Sequence, residues 1–181
     1  MMIGYFPESA PLYENMIVFD YLHYVAGMRN LSPAERFGHI EKLADTCGLR
    51  EVMHRPVHER PKGYKQRVGL AHAMMGDPEI LVLDEPTTGL DPNQIVEIRD
   101  IIKKIGKEKT VILSTHILSE VEASCDRVVI IHEGKIVADG STDELRESTE
   151  SEYLVNLVLK ETPEDDIRNE LGDIANIGSI D

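Results

Sequence analysis

The segment Ile80-Leu81-Val82-Leu83-Asp84-Glu85-Pro86 gives the first indication of a fold. Its apolar residues lie between Pro78 and Pro86, which predicts a short buried strand. Two carboxylates, Asp84 and Glu85, end that strand, and parallel α/β sheets carry functional groups just outside the carboxyl ends of their strands. An aspartate there can hold Mg²⁺ through water while the next glutamate polarises an attacking water, as phosphoryl transfer requires. The alternative is a solvated acidic turn.

Further motifs flank this strand in a fixed order. Upstream lies Lys62-Gly63-Tyr64-Lys65-Gln66-Arg67-Val68-Gly69-Leu70-Ala71; downstream come Thr87-Thr88-Gly89-Leu90-Asp91-Pro92, a helical pattern, and Val111-Ile112-Leu113-Ser114-Thr115-His116. This series resembles the ATP-binding cassette (ABC) ATPase family over residues 1 to about 147. The resemblance implies an α/β, P-loop NTPase-like domain. The chain would hold the C-terminal part of its mostly parallel sheet and a helical subdomain at about residues 12–75.

The resemblance also implies roles for individual residues. Asp84 looks like the last residue of the Walker B strand, which handles Mg²⁺, and Glu85 looks like the catalytic base. Gly89-Leu90-Asp91 resembles the D-loop, which places Asp91 with the nucleotide-binding residues. His116 resembles the switch histidine that reaches the γ-phosphate. Glu8 stands where the family's Q-loop usually has glutamine, and it is expected to contact Mg²⁺ or water; a solvated loop acid is the alternative there.

The family's signature loop, usually Leu-Ser-Gly-Gly-Gln, aligns with Arg60-Pro61-Lys62-Gly63-Tyr64. Such a loop offers a hydroxyl, backbone amides and a helix N-terminus to the γ-phosphate held by the opposite subunit. Gly63 and Tyr64 are therefore expected to serve the partner's ATP. Pro61 stands at the hydroxyl position but has neither a hydroxyl nor an N–H group. The Lys-Gly-Tyr variant resembles the gliding-motility, multidrug and ABC-2-type export branch; an ordinary amphipathic helix after a turn is the alternative.

Local patterns predict the other elements. Helices are expected at 15–28, at 92–106 and at 117–125. A further helix should run from the capping box Ser32-Pro33-Ala34-Glu35 to about Cys47, and another should end near residue 147. Strands are expected at 3–6, at 110–114, and in a hairpin at 127–131 and 136–138. Residues 148–181 form a second predicted region, a polar linker followed by the start of an accessory domain, with a strand at 153–159 and an acidic helix at 163–171.

Composition limits the function classes. The 181 residues contain 41% apolar residues, which suits about one domain, and no run of about 18 apolar residues that could span a membrane. The net charge of −14 argues against nucleic acid as a partner. Cys47 and Cys125 are predicted to be free thiols of a reducing cytoplasm. No signal peptide is visible, and His23, His39, His54 and His58 lack metal-ligand spacing.

No G-x-x-x-x-G-K-[ST] phosphate loop occurs in the sequence, although an ATP site needs one. In ABC proteins this Walker A loop precedes the Q-loop, so the chain is expected to be truncated before the Q-loop. The loss is expected to leave the Walker B strand with an unpaired edge. Such a chain would self-associate or cover that edge with another segment.

Three functions remain open from the sequence. The first is an ATP-hydrolysing subunit of an ABC exporter, which would use ATP and Mg²⁺, pair with a second ATPase subunit, and lie at the cytoplasmic face of the membrane on a membrane-spanning permease subunit. The second is a non-hydrolytic module that docks on a permease or on a full-length ATPase, so enzyme activity of this chain stays open. A soluble ABC ATPase of DNA repair or translation is disfavoured by the acidic balance.

Overall fold

A parallel sheet of three strands carries the candidate site. The computed structural model describes residues 3–59 and 61–149. Within these ranges the sheet has the order β1-β2-β3, formed by β1 (Ile3–Phe6), β2 (Ile80–Asp84) and β3 (Thr110–Ser114). Both strand pairs are parallel, and Asp84 lies opposite Ser114 at the carboxyl ends of β2 and β3. The predicted mostly parallel α/β sheet is therefore confirmed.

The central position of β2 corrects one expectation. We predicted that this strand would have an unpaired edge, but residues 80–83 pair with β1 on one side and residues 80–84 pair with β3 on the other. The physical reason is that helical connections return the chain to both sides of β2, so β1 and β3 form the edges of the described sheet. Leu81 and Leu83 of β2 are fully buried on the face toward the helices. On the opposite face, Ile3, Tyr5 and Ile112 are about half exposed.

Three α-helices lie between β1 and β2: α1 (Val18–Met28), α2 (Pro33–Thr46) and α3 (Lys62–Met74). Two short 3₁₀ helices, Arg50–Val52 and Val57–Glu59, lie between α2 and α3. The predicted capping box of α2 is present, with the Ser32 N–H donating to Glu35 Oε2 at 2.9 Å. These hydrogen bonds from Ser32 lower the pKa of Glu35. At the other end Cys47 is the C-cap, and Gly48 adopts φ +64, a left-handed conformation that glycine tolerates. Both predicted ends of α2 are correct.

Helix α1 begins three residues later than predicted. Ile17 forms an isolated bridge with Pro56, and the Val18 N–H donates to the Arg55 carbonyl at 3.0 Å. These bonds to a distant segment hold residue 17 in an extended conformation, so the helix cannot start before Val18. Ile17, Tyr21, Tyr24, Val25 and Met28 recur at helical spacing in the sequence, which predicts one buried stripe, and that prediction is partly wrong. Tyr21 and Val25 are buried, whereas Ile17, Tyr24 and Met28 are exposed and other residues take their place in the core, namely Val18, Leu22 and Ala26.

The remaining elements follow β2 in the predicted order. They are α4 (Pro92–Gly106), β3, α5 (Leu118–Ser124), an antiparallel hairpin of β4 (Val128–His132) and β5 (Lys135–Gly140), and α6 (Thr142–Thr149). Asp91 is the N-cap of α4, as predicted, and the buried stripe of that helix contains Ile98, Ile102 and Ile105. Cys47 and Cys125 are both free thiols.

Two units divide the chain, one ending at Thr142 and the other beginning at Asp143. The predicted boundary near residue 147 stays a prediction, and the strand and helix predicted at 153–159 and 163–171 lie outside the described residues. Across 3–59 and 61–149, none of the helices has both the length and the apolar character needed to cross a membrane.

Candidate functional site

Asp84 ends β2 and receives hydrogen bonds from both neighbouring strands. Ser114 Oγ, at the end of β3, donates to Asp84 Oδ1 at 2.6 Å. The Tyr5 hydroxyl of β1 lies 3.5 Å from Asp84 Oδ2. Both partners are neutral hydroxyl groups, so they orient the carboxylate without cancelling its charge. Our sequence analysis assigned no role to Ser114 or Tyr5, although the level ends of parallel strands could have suggested Ser114.

Glu85 has an unusual backbone conformation that turns its side chain toward the end of β3. Its φ is +46, and its N–H donates to the Ser114 carbonyl at 3.1 Å. The Glu85 Oε1 atom is 2.8 Å from His116 Nδ1, and Oε2 accepts from Thr88 Oγ1 at 3.3 Å. The Glu85 side chain is 20% exposed, whereas that of His116 is 74% exposed. The structure therefore brings the two predicted catalytic residues into direct contact at the rim of the sheet.

Electrostatics favour a protonated His116. The hydrogen bond to Glu85 raises the pKa of this imidazole, and the negative charge of Glu85 adds to the effect. More distant carboxylates, Glu120 and then Glu8, raise the pKa further. Glu8 is itself exposed in the loop after β1, and its charge acts on His116. Asp84, Glu85 and His116 thus lie at one end of the sheet, and Glu8 is near enough for its charge to act on His116.

Asp91 has a structural task in this chain. Its Oδ1 accepts hydrogen bonds from the Asn93 and Gln94 N–H groups, both at 3.0 Å, and so caps α4. The cap fixes the direction in which α4 leaves the D-loop. The nucleotide-binding role predicted for Asp91 stays a prediction.

The segment predicted as a signature loop adjoins the D-loop within the same chain. A Cβ at Gly63 would lie 2.8 Å from Gln94 Cδ, and a Cβ at Gly89 would collide with the Lys62 ammonium. Gly63 therefore permits close approach of α3 to α4. The Tyr64 ring instead contacts its own helix, with the Arg67 guanidinium 5.5 Å from the ring centre. The roles predicted for Gly63 and Tyr64 toward a partner's ATP stay predictions.

Pro61 is the N-cap of α3 and provides no side-chain hydrogen bond to the helix. Serine, threonine, aspartate and asparagine are the residues that usually satisfy the free N–H groups of a first helical turn. The Tyr64 and Lys65 N–H groups donate to the Pro61 carbonyl at 3.0 and 3.3 Å. Among the described residues, the Lys62 and Gly63 N–H groups of this turn are therefore the ones left for solvent or for a ligand.

The donor set at Asp84 suits one kind of metal ion. Within 3–59 and 61–149, no group of three or more His, Cys, Asp or Glu residues is placed to hold a metal by itself. Magnesium in phosphoryl-transfer proteins needs fewer protein ligands, because one or two carboxylates, water molecules and phosphate oxygens complete its coordination. Asp84, with two hydroxyl neighbours and free lone pairs, fits that shared mode of binding. The predicted contribution of Glu8 to the metal remains a prediction.

Glu120 of α5 is a residue that sequence analysis missed. Its Oε2 accepts from Thr87 Oγ1 at 2.9 Å and from Thr115 Oγ1 at 3.1 Å. Thr87 follows Glu85 by two positions, and Thr115 immediately precedes His116. The carboxylate is 5% exposed, so these bonds are shielded from water. No local sequence signal marks such a contact, because the pairing arises only when the two strand ends meet.

Comparisons with known proteins place these features in a family context. A family model described as ABC transporter matches residues 2–88. The chain is 39% identical over 150 residues to the ABC transporter ATP-binding protein NatA of Bacillus subtilis, which covers 82% of this chain and 61% of that protein. It is 40% identical over 142 residues to the lantibiotic transport ATP-binding protein SrtF of Streptococcus pyogenes, covering 78% and 60% respectively.

A solved structure agrees with the sequence matches. Its title describes cbiO1 from Clostridium perfringens as part of the ABC transporter complex cbiONQ. The TM-score is 0.74 at 28% identity, over 82% of this chain and 60% of that one. The chain thus spans about 60% of the length of these relatives.

Proposed function

This chain belongs to the family of ABC transporter ATP-binding domains, and we propose that it is part of an ATP-binding subunit that drives transport across a membrane. The observation that carries the proposal is the cluster of Asp84, Glu85 and His116 at the carboxyl end of the sheet. The Glu85–His116 distance of 2.8 Å and the Ser114–Asp84 distance of 2.6 Å support a site whose charged groups are already oriented.

The roles we propose follow from those contacts. Asp84 would hold Mg²⁺ through water, with Glu8 as a second oxygen ligand, and the ion would neutralise charge on phosphate oxygens when bound. Glu85 would accept a proton from the attacking water, since its carboxylate is oriented from two sides by His116 and Thr88. His116, with an imidazole largely exposed to solvent, would donate a hydrogen bond to the γ-phosphate.

A second ATPase subunit is the proposed partner of α3. Gly63 and Tyr64 lie in the first turn of that helix, and a helix N-terminus with the Gly63 N–H group available suits an anion. We propose that this turn faces the γ-phosphate of ATP held by the second subunit, with Asp91 fixing the adjoining D-loop. Pro61 would weaken this half-site, because no hydroxyl stands at the position where the family usually has serine.

The helical subdomain is the proposed docking region for a membrane-spanning permease subunit. A surface cleft of about 460 Å³ is lined by residues of α1 and α2, including the exposed Tyr24 and Met28. We propose that a permease segment contacts this cleft and holds the subunit at the cytoplasmic face of the membrane. Export is the proposed direction, supported only by the likeness of Lys62-Gly63-Tyr64 to the export branch of the family.

A second candidate is a non-hydrolytic docking module. Two observations favour it for the 181-residue chain by itself, namely the lack of a G-x-x-x-x-G-K-[ST] segment in its sequence and Pro61 at the start of α3. Backbone amides and the lysine of that segment normally cradle the phosphates. We therefore propose that this polypeptide alone does not bind ATP, although Asp84, Glu85 and His116 are in place.

Calorimetric titration of the purified chain with Mg-ATP tests this proposal. We expect no heat of binding up to millimolar nucleotide, in the chain or in Glu85→Gln. Saturable binding would contradict the proposal that the polypeptide alone does not bind ATP. A second arm adds the chain to the Bacillus subtilis relative NatA and measures ATP hydrolysis. A dose-dependent change that Pro61→Ser enhances supports a half-site on ATP held by NatA, and Glu85→Gln should leave that change intact because this chain holds no ATP of its own. A change that Pro61→Ser leaves unaltered supports the docking module instead.

A further inference from the structure

In the part of the chain that the structure describes, three residues that each have a buried polar atom without a partner line one small cavity next to the candidate site. Glu120 Oε1, Arg99 Nε and Ser124 Oγ are each buried and lack a hydrogen-bond partner among the described residues 3–59 and 61–149. All three residues line the same cavity, together with Pro86 and Thr87, which lie between Glu85 and the D-loop. Buried polar groups in folded proteins nearly always have partners, so three such atoms around one cavity indicate a ligand.

The size of the cavity restricts that ligand to a single small molecule. The volume open to the centre of a water molecule is about 10 Å³, close to the minimum for one water. Apolar side chains of Ile102 and Leu113 complete the wall. A nucleotide, a phosphate or an organic molecule is therefore too large.

The chemistry of the three atoms identifies the ligand as water. Arg99 Nε can only donate a hydrogen bond, Glu120 Oε1 as part of a carboxylate accepts, and Ser124 Oγ does either. The Arg99 guanidinium disfavours a cation, and the Glu120 carboxylate disfavours an anion. A water molecule accepts from one neighbour and donates to the other two, which gives the two to four partners that buried waters require.

Glu120 connects this cavity to the candidate site. Its second oxygen, Oε2, holds the hydroxyl groups of Thr87 and Thr115 at 2.9 and 3.1 Å. The Thr115 hydroxyl in turn accepts from the Ile117 N–H at 3.2 Å, which shapes the loop around His116. One buried carboxylate thus joins the segment after Glu85 to the segment that carries His116.

We propose that the cavity binds one structural water between Arg99, Glu120 and Ser124, and that the hydrated Glu120 is a positioning residue that keeps Glu85 and His116 within hydrogen-bond distance. The water completes the hydrogen bonds of Glu120 and ties α4 to α5. With the carboxylate immobile, Thr87 and Thr115 are fixed relative to each other. The proposal concerns the architecture of the site and does not depend on whether the chain alone binds ATP.

A high-resolution crystal structure of the 181-residue chain is the direct test. We expect a density peak within hydrogen-bond distance of Arg99 Nε, Glu120 Oε1 and Ser124 Oγ. A cavity without density, or closed by movement of Arg99, would overturn the water site. Because this measurement uses the unchanged chain, it stays decisive even if a variant fails to fold.

Ser124→Val provides a second test that changes no charge. Valine would expel the water and leave Glu120 Oε1 and Arg99 Nε without partners, so the unfolding equilibrium constant should rise by on the order of tenfold. Ser119→Val in the same helix is the matched control, since Ser119 is exposed and touches no cavity wall. If the cavity is dry and apolar filling stabilises the fold, Ser124→Val will unfold at higher urea than the control, contrary to the proposal.

The positioning role has its own readout in the titration of His116 by NMR. Thr87→Val removes the hydroxyl bond to Glu120 without a change in charge, and it should loosen the Glu85–His116 contact. The pKa of His116 should then fall toward its ordinary value in Thr87→Val and Ser124→Val but stay raised in Ser119→Val. A loss of stability with an unchanged pKa of His116 would refute the positioning role.

Discussion

Gly69→Ala tests the packing that holds α3 against β1. Alanine is favoured over glycine inside a helix by about 1 kcal/mol, so helix propensity alone predicts that this substitution stabilises the protein. The structure predicts the reverse, because a Cβ at position 69 would collide with the Phe6 ring and lie 3.0 Å from Ala10 Cβ. Phe6 is only 2% exposed, so its ring can move only by displacing its neighbours in the core.

The expected size of the effect follows from two opposing contributions. Forcing an extra methyl group into a packed core costs about 1–3 kcal/mol, and the severe overlap with Phe6 argues for the upper part of that range. After the propensity gain, Gly69→Ala should lower the free energy of unfolding by about 2 kcal/mol. Gly38→Ala in α2 is the control, since a Cβ there meets nothing within 4 Å. Gly38→Ala should raise the free energy of unfolding by up to about 1 kcal/mol.

Urea unfolding followed by circular dichroism measures both variants. With a slope of about 2 kcal/mol/M, the two midpoints should differ by about 1.5 M, with Gly69→Ala below the unchanged chain and Gly38→Ala above it. A midpoint that rises in both variants would refute the packing argument. It would mean that β1, which leads to Glu8, does not pack tightly against α3, whose first turn contains Gly63 and Tyr64.

Three further predictions concern single hydrogen bonds. Glu85→Gln should lower the pKa of His116 toward 6.5, as followed by NMR, because the hydrogen bond and charge of Glu85 raise it. Since the folded-state pKa is the higher one, the stabilisation from this pair is complete below about pH 6.5 and is lost as the pH rises through the raised value. Tyr21→Phe should lower the free energy of unfolding by about 1–2 kcal/mol in urea titrations, since it removes the 2.6 Å bond between the Tyr21 hydroxyl and His72 Nδ1. Ser32→Ala should cost about 1 kcal/mol in the same assay through loss of the α2 capping box.

Helix boundaries were predicted correctly where residues close to the helix end form a capping motif. The boundaries of α2 and α4 depend on a capping box, an Asp-Pro start and a glycine, all within a few residues of each helix end. Asp84 and Glu85 could be found because they stand at the carboxyl end of a predicted strand, where parallel sheets carry functional groups, whereas His116 was found through the family resemblance. The family resemblance added the roles but not the contacts.

Features that depend on distant pairing could not be predicted. The start of α1 is set by the bridge between Ile17 and Pro56, and the order of strands depends on which side of β2 each connection returns to. In the sequence Glu120 is an ordinary helix glutamate, yet in the structure its carboxylate accepts hydrogen bonds from two hydroxyl groups on separate loops. In each case the decisive partner lies far away in the sequence, and periodicity carries no information about it.

The conformation of Glu85 explains why its amide variant is an informative probe. A left-handed φ of +46 costs about 1–2 kcal/mol for a residue other than glycine, so surrounding contacts must offset it. The Glu85 N–H donates to the Ser114 carbonyl, and the Glu85 carbonyl accepts from the Thr88 N–H, each at 3.1 Å. Glutamine retains both backbone bonds and nearly the same shape, so Glu85→Gln alters the charge opposite His116 and little else. Alanine would remove the charge and the side-chain contacts with His116 and Thr88 together, and its effect could not be assigned to either.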